Sequence, residues 1–119
     1  MFNVIQTYKE IESSDKTKSL QEQIESLVNA DKVVLFMKGN TDMPQCGFSA
    51  NTSGMLRQLG VNFKTFNILN DQDIRQGLKD YSKWPTFPQL YIKGQLVGGN
   101  DIVTEMFKNG ELQAMIKDL

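Results

Sequence analysis

A small mixed sheet of four β-strands with helices on both faces, an α/β fold, is expected from three features of this 119-residue chain. Two strand-like runs, Val33–Met37 and "VNFKTFNI", are separated by a helical segment, the arrangement of a parallel pair joined by a right-handed crossover. Two prolines then introduce "WPTFPQLYIKGQLVGG", two short runs folded about Gly94 that read as an antiparallel hairpin. Helical patterns lie before, between and after these runs, enough to cover both faces of such a sheet.

Residues 1–18 are polar and charged with scattered apolar positions, and are expected as a loosely attached extension or the remnant of a presequence; residues 19–119 form the domain. "SLQE" is a capping box: Ser19 can accept from the backbone at Glu22, and Glu22 can reach back. Leu20, Ile24, Leu27 and Val28 then share one helical face. The run Val33–Met37 is continuous and rich in β-branched residues, which predicts a strand buried on both faces. The loop "GNTDMPQ" leads to Cys46, where "CGFSANTSGMLRQLG" predicts a helix with Phe48, Met55, Leu56 and Leu59 on its apolar side. Gly60 sits where a C-terminal cap belongs. Gly54 and the Asn-Thr-Ser run weaken the middle of this helix. After the second strand, "NDQDIRQGLKDYSKW" predicts a helix with Ile74, Leu78 and Tyr81 on one face and Asn70 or Asp71 as cap. A strand over Gln89–Lys93, a turn at Gly94 and a short strand ending at Gly98–Gly99 follow. Two short helices, punctuated at Gly110, close the chain.

The length suits one compact domain. The net charge of −1, with acids and bases mixed, gives no support for a nucleic-acid or anionic-membrane partner, and neither is expected. No apolar run approaches the ~20 residues that span a bilayer. The first residues lack the basic-then-apolar order of a signal peptide, and having acids and no Arg they make a poor transit peptide. A single cysteine excludes an internal disulfide and fits a reducing intracellular compartment, cytoplasm or mitochondrial matrix.

The lone thiol, Cys46, is expected at the start of a helix, where about half a positive charge and unpaired N–H groups stabilise a thiolate. Lys38 leaves the preceding strand on the same edge and adds a full charge. An inert buried cysteine is the plain alternative, but the Pro-Gln-Cys-Gly context puts no apolar residue beside the sulfur. With no histidine in the chain, Cys–His hydrolases and a mixed Cys/His zinc site are excluded. Ser49 stands where a C-x-x-C oxidoreductase has its second thiol. Its hydroxyl can donate to a thiolate or cap the helix, and both roles stay open.

Cys46 therefore needs thiols from elsewhere. Glutathione, the abundant intracellular one, carries two carboxylates and an ammonium group. Three stretches suit such a molecule. Lys38 and Arg75, one of only two arginines, can converge on a carboxylate. A cis Phe87–Pro88 bond would turn the Phe87 backbone toward a peptide ligand. After Gly98–Gly99, Asn100 and Asp101 open a helix whose N–H groups can hold a carboxylate while Asp101 accepts from an ammonium. Solvated surface cations, an ordinary loop and an ordinary N-cap are the alternatives. Phe48 and Trp84 are candidate groove aromatics, with Trp84 better explained by packing on the third helix.

Taken together, "KGNTDMPQCGFS", "IRQGLKDYSKWPTFPQLYIKGQLVGGNDI" and the order of elements resemble the monothiol glutaredoxins of CGFS type, from about Ser19 to Leu119. The resemblance implies a thioredoxin-like fold. It also implies that Lys38, Arg75, Phe87, Asn100 and Asp101 contact glutathione, with Pro88 as the family's cis-proline and Phe48 in the matching motif beside the ligand. Many members carry Cys where this chain has Asn100, so a secondary thiol is absent here.

A [2Fe-2S] cluster usually takes four thiolates. One chain supplies one, so two chains and two glutathiones complete the set, as the resemblance implies. The expected function is then a cluster carrier in iron–sulfur biogenesis, a homodimer when cluster-bound and a monomer when apo. Its partners would be a scaffold and acceptor apoproteins, and the family also pairs with BolA-like proteins. The rival is an enzyme, in which Cys46 acts as a glutathione-dependent oxidoreductase removing glutathione from mixed disulfides. A plain interaction domain is the third reading.

Overall fold

The structure is a computed structural model that describes residues 6–11 and 15–119. In chain order the elements are β1 (Glu10–Ile11), α1 (Leu20–Val28), β2 (Val33–Met37), α2 (Gly47–Gln58), β3 (Lys64–Asn67), a 3₁₀ turn (Ile68–Asn70), α3 (Gln72–Ser82), β4 (Gln89–Ile92), β5 (Gln95–Gly98), α4 (Asn100–Asn109) and α5 (Glu111–Lys117). Strand order across the sheet is β1-β3-β2-β4-β5. β3 is parallel to both β1 and β2, while β4 is antiparallel to β2 and to β5.

Every residue of β2 is buried, as its unbroken apolar run requires. Side chains alternate across a strand, so this one strand serves two cores. Val34 and Phe36, with Tyr91, pack against Ile24, Leu27 and Val28 of α1 and Ile74 and Leu78 of α3. Val33, Leu35 and Met37 face Met55 and Leu56 of α2, Val103 of α4 and Leu112 of α5. Helices thus cover both faces, as the sequence predicts.

Local signals set the ends. The Ser19–Glu22 capping box is present in both directions. The Asp71 carboxylate caps α3 by accepting from the Ile74 N–H, and Lys16 forms an ion pair with the same carboxylate. The β4–β5 turn takes positive φ at Lys93 (52°) and Gly94 (78°), the handedness that two-residue hairpins favour. That conformation ends β4 at Ile92, one residue before the expected boundary.

The expected four-stranded sheet is corrected to five, and part of the segment read as a loose extension supplies the additional strand. The Thr7 and Lys9 carbonyls accept from the Phe63 and Thr65 N–H groups at 2.9 and 2.8 Å. Gln6 Nε2 donates to the Leu56 and Val61 carbonyls at 3.1 and 2.7 Å. Tyr8 stacks on Phe63 with ring centroids 5.9 Å apart, and Arg57 lies 4.9 Å over the Tyr8 ring. Residues 1–5 and 12–14 of that segment lie outside the described residues. Among the described residues no helix is long and apolar enough to cross a membrane.

Candidate functional site

The C-terminal end of β2 leads into a tight loop that delivers the thiol. Gln45 N–H returns to the Lys38 carbonyl at 2.8 Å, and Gly39 bridges Pro44. Asn67, at the end of β3, accepts from the Gly39 N–H at 3.0 Å. Asn40 Oδ1 accepts from the Met43 N–H at 2.8 Å. Cys46 then stands at the N-cap of α2 in extended conformation, with an intermediate degree of exposure.

Sγ closes no regular capping hydrogen bond, but the N–H groups of the first turn still act on it. The Ser49 N–H does most to hold the thiol below its ordinary pKa; burial opposes it, and the Phe48 N–H, the Ser49 hydroxyl and the Lys38 charge help to lower it. The same Ser49 Oγ accepts from the Lys38 N–H at 3.1 Å. Ser49 is fully buried, so one hydroxyl ties the strand end to the helix start beneath the sulfur. Changing Ser49 to Ala is expected to move the pH midpoint of Cys46 alkylation by iodoacetamide upward, toward that of a free cysteine. It should not go all the way, because the backbone N–H groups remain. A midpoint that stays put or falls would contradict this account of the thiol.

Beside Cys46 opens a cleft of about 450 Å³. Lys38, Cys46 and Phe48 line it on one side, and Arg75 and Lys79 of α3 on another; the loop from Trp84 to Pro88 and the start of α4, from Gly99 to Asp101, complete it. All eight residues singled out from the sequence, Lys38, Cys46, Phe48, Arg75, Phe87, Pro88, Asn100 and Asp101, therefore meet at one site. Its charges are sorted: Lys38, Arg75 and Lys79 are cations, and Asp101 is the acid at the α4 end. Such a cleft suits a small molecule carrying more than one carboxylate and an ammonium group.

Their contributions differ. Phe48 is 62% exposed at the rim. The Phe87 ring is buried in the core on the α1–α3 side, so the cis Phe87–Pro88 segment offers its main chain to the cleft. Asn100 Oδ1 accepts from Asn51 Nδ2 at 2.8 Å and from Thr52 Oγ1 at 2.9 Å. That side-chain oxygen is engaged with α2, while the residue opens α4 at the cleft.

Trp84, expected to pack in the core, instead stands half-buried in the cleft wall. A Cβ on Gly99 would lie 2.9 Å from its Nε1, so Gly99 leaves room for the indole. Lys79 and Thr86 also line the cleft and were missed in the sequence. Lys79 lies one helical turn beyond Arg75, and that i,i+4 spacing would have found it.

The Glutaredoxin family model matches residues 33–97. An uncharacterized monothiol glutaredoxin (ycf64-like) of Synechocystis is 54% identical over 95 residues, covering 80% of this chain and 89% of that one. Zebrafish Glutaredoxin 3 is 52% identical over 102 residues, which is 86% of this chain but only 31% of that longer protein. Among solved structures, reduced poplar apo GrxS14 matches with a TM-score of 0.74 and 50% identity, covering 84% of this chain and 92% of that one.

Proposed function

The chain belongs to the glutaredoxin family, as a single-thiol member with a thioredoxin-like fold, and from that premise we propose that it binds glutathione in the cleft and carries a [2Fe-2S] cluster. The observation that carries this reading is the position of a thiol with lowered pKa at the mouth of a cleft whose charges are sorted. Lys38 and Arg75 receive the carboxylate at one end of the tripeptide, and Lys79 reinforces them. The α4 N-terminus and Asp101 receive the carboxylate and ammonium at the other end. The Phe87 main chain pairs with the peptide between them. This arrangement brings the glutathione sulfur to Cys46.

Among the described residues no group of three or more His, Cys, Asp and Glu is placed to hold a metal ion. The cluster is therefore cargo held between molecules: two Cys46 thiolates from two copies and two glutathione thiolates make four ligands. Half of that set consists of exchangeable small molecules, which suits receipt from a scaffold and release to an acceptor apoprotein or a BolA-like partner. Dimerisation follows the cargo, and the apo chain is a monomer. A reducing compartment, cytoplasm or mitochondrial matrix, keeps Cys46 and glutathione as thiols.

The lowered thiol pKa also favours a second reading. The Cys46 thiolate would attack the glutathione sulfur of a mixed disulfide, releasing the substrate thiolate; a second glutathione thiolate would then displace Cys46 and leave as oxidised glutathione. Anaerobic reconstitution with iron, sulfide and glutathione separates the two. The carrier gives a coloured dimer that does not form when glutathione is omitted. A colourless monomer that rapidly reduces glutathionylated protein would instead establish the oxidoreductase.

A further inference from the structure

We propose that Gln89 is a positioning residue of the cleft: its buried amide, oriented by Tyr91, holds the Trp84–Phe87 wall in the shape that receives glutathione. The inference rests on the glutathione reading above and adds a residue that does not itself line the cleft. Gln89 opens β4 opposite Phe36 of β2, on the apolar face that packs against α1 and α3, and it is fully buried. An amide in such surroundings is unfavourable unless its polar atoms are paired. Here both ends are. Nε2 donates to the Trp84 carbonyl at 3.1 Å and to the Thr86 carbonyl at 3.2 Å. Oε1 accepts from the Tyr91 hydroxyl at 3.0 Å.

The segment it holds has little means of holding itself. Pro85 and Pro88 have no N–H to donate. Its near end is fixed by Ser82, whose Oγ accepts from the Trp84 N–H at 3.1 Å and donates to the Leu78 carbonyl at 2.6 Å. The carbonyls of Trp84 and Thr86 are left to Gln89. Tyr91 decides which way the amide faces. Its hydroxyl, donating to Oε1, turns the NH₂ group toward the loop; a reversed amide would set oxygen against two carbonyl oxygens. Burial pushes the Tyr91 pKa up to about 12, so the hydroxyl keeps its proton at neutral pH.

Two near-isosteric variants test the role. Gln89→Glu keeps the shape but replaces the two-donor NH₂ by an oxygen that, even as a neutral carboxyl, can donate to only one of the two carbonyls. Tyr91→Phe keeps the ring and removes the donor that orients the amide. Isothermal titration with reduced glutathione is expected to show about a tenfold or greater loss of affinity in Gln89→Glu and about threefold in Tyr91→Phe, the scale of unpaired buried polar groups. The pH midpoint of Cys46 alkylation should not move in either, because α2 sets it and not this loop. Should wild-type protein fail to bind glutathione, the reading of the cleft itself is wrong. If wild type binds and the folded variants bind equally well, Gln89 has no such role. An alkylation midpoint that shifts along with the affinity would show general loosening and would likewise overturn it. Where Gln89→Glu does not fold, Tyr91→Phe decides by the same criteria.

Discussion

Cys46→Ser should remain colourless and monomeric after anaerobic reconstitution under conditions in which the wild-type chain becomes a coloured dimer. The loss is expected to be complete, because the chain has no second cysteine or histidine to substitute. A serine hydroxyl does not ionise near neutral pH, and neither the helix N-terminus nor Lys38 can make it a thiolate-like ligand. The fold is expected to survive. Cys46 is the N-cap of α2 and closes no regular capping bond, whereas serine is among the favoured N-cap residues, worth up to about 1 kcal/mol of added stability. Visible absorption, size exclusion and thermal melting check the three parts of the expectation. A coloured dimer formed by the serine variant would place the cluster ligand elsewhere and end the carrier reading.

Gly39→Ala is expected to have the largest effect on stability. Gly39 has a φ of +88°, and a Cβ there would stand 2.5 Å from the Met43 carbonyl oxygen and 2.7 Å from the Gln45 nitrogen. Both are backbone atoms of the loop that delivers Cys46, so no side-chain rotation relieves the clash. Strain and displacement together should cost about 3 kcal/mol and lower the melting temperature by about 10 °C. Glutathione affinity should fall too, since the Gln45–Lys38 hydrogen bond that spaces Lys38 from Cys46 is the first to go. Gly54→Ala is the control. Nothing lies within 4 Å of its Cβ position, and alanine in the middle of α2 should add about 0.5–1 kcal/mol. Equal melting temperatures for wild type and Gly39→Ala would show that the loop yields more readily than its geometry indicates.

What the sequence made legible were the features with local causes. The capping box at Ser19, the unbroken run of β2, the turn at Gly94 and the break at Gly110 each act over a few residues. The structure has all four. The cleft residues were legible because they cluster in motifs at the ends of those elements. What escaped depends on distant partners. β1 is two residues long and is defined by Thr65 and Phe66, far along the chain; two residues carry no periodicity. For Trp84 packing on the third helix was preferred over a place in the groove, whereas the space beside Gly99 seats it in the wall. Lys79 was not singled out, although it stands four residues beyond Arg75 on the same helix.

The short strand at the edge of the sheet has a further consequence. Exposed edges invite strand addition between molecules, and proteins blunt them with brevity and charge. Here one border is β1, a two-residue strand carrying Glu10 and preceded by Lys9, and the other is β5, which begins at an exposed glutamine and ends in Gly98 at a φ of +153°. Neither gives an incoming chain a long, flat template, so the open rim discourages irreversible fibre-like growth. On the carrier reading proposed above, reversible pairing of two copies would then be left to the face around the sulfur.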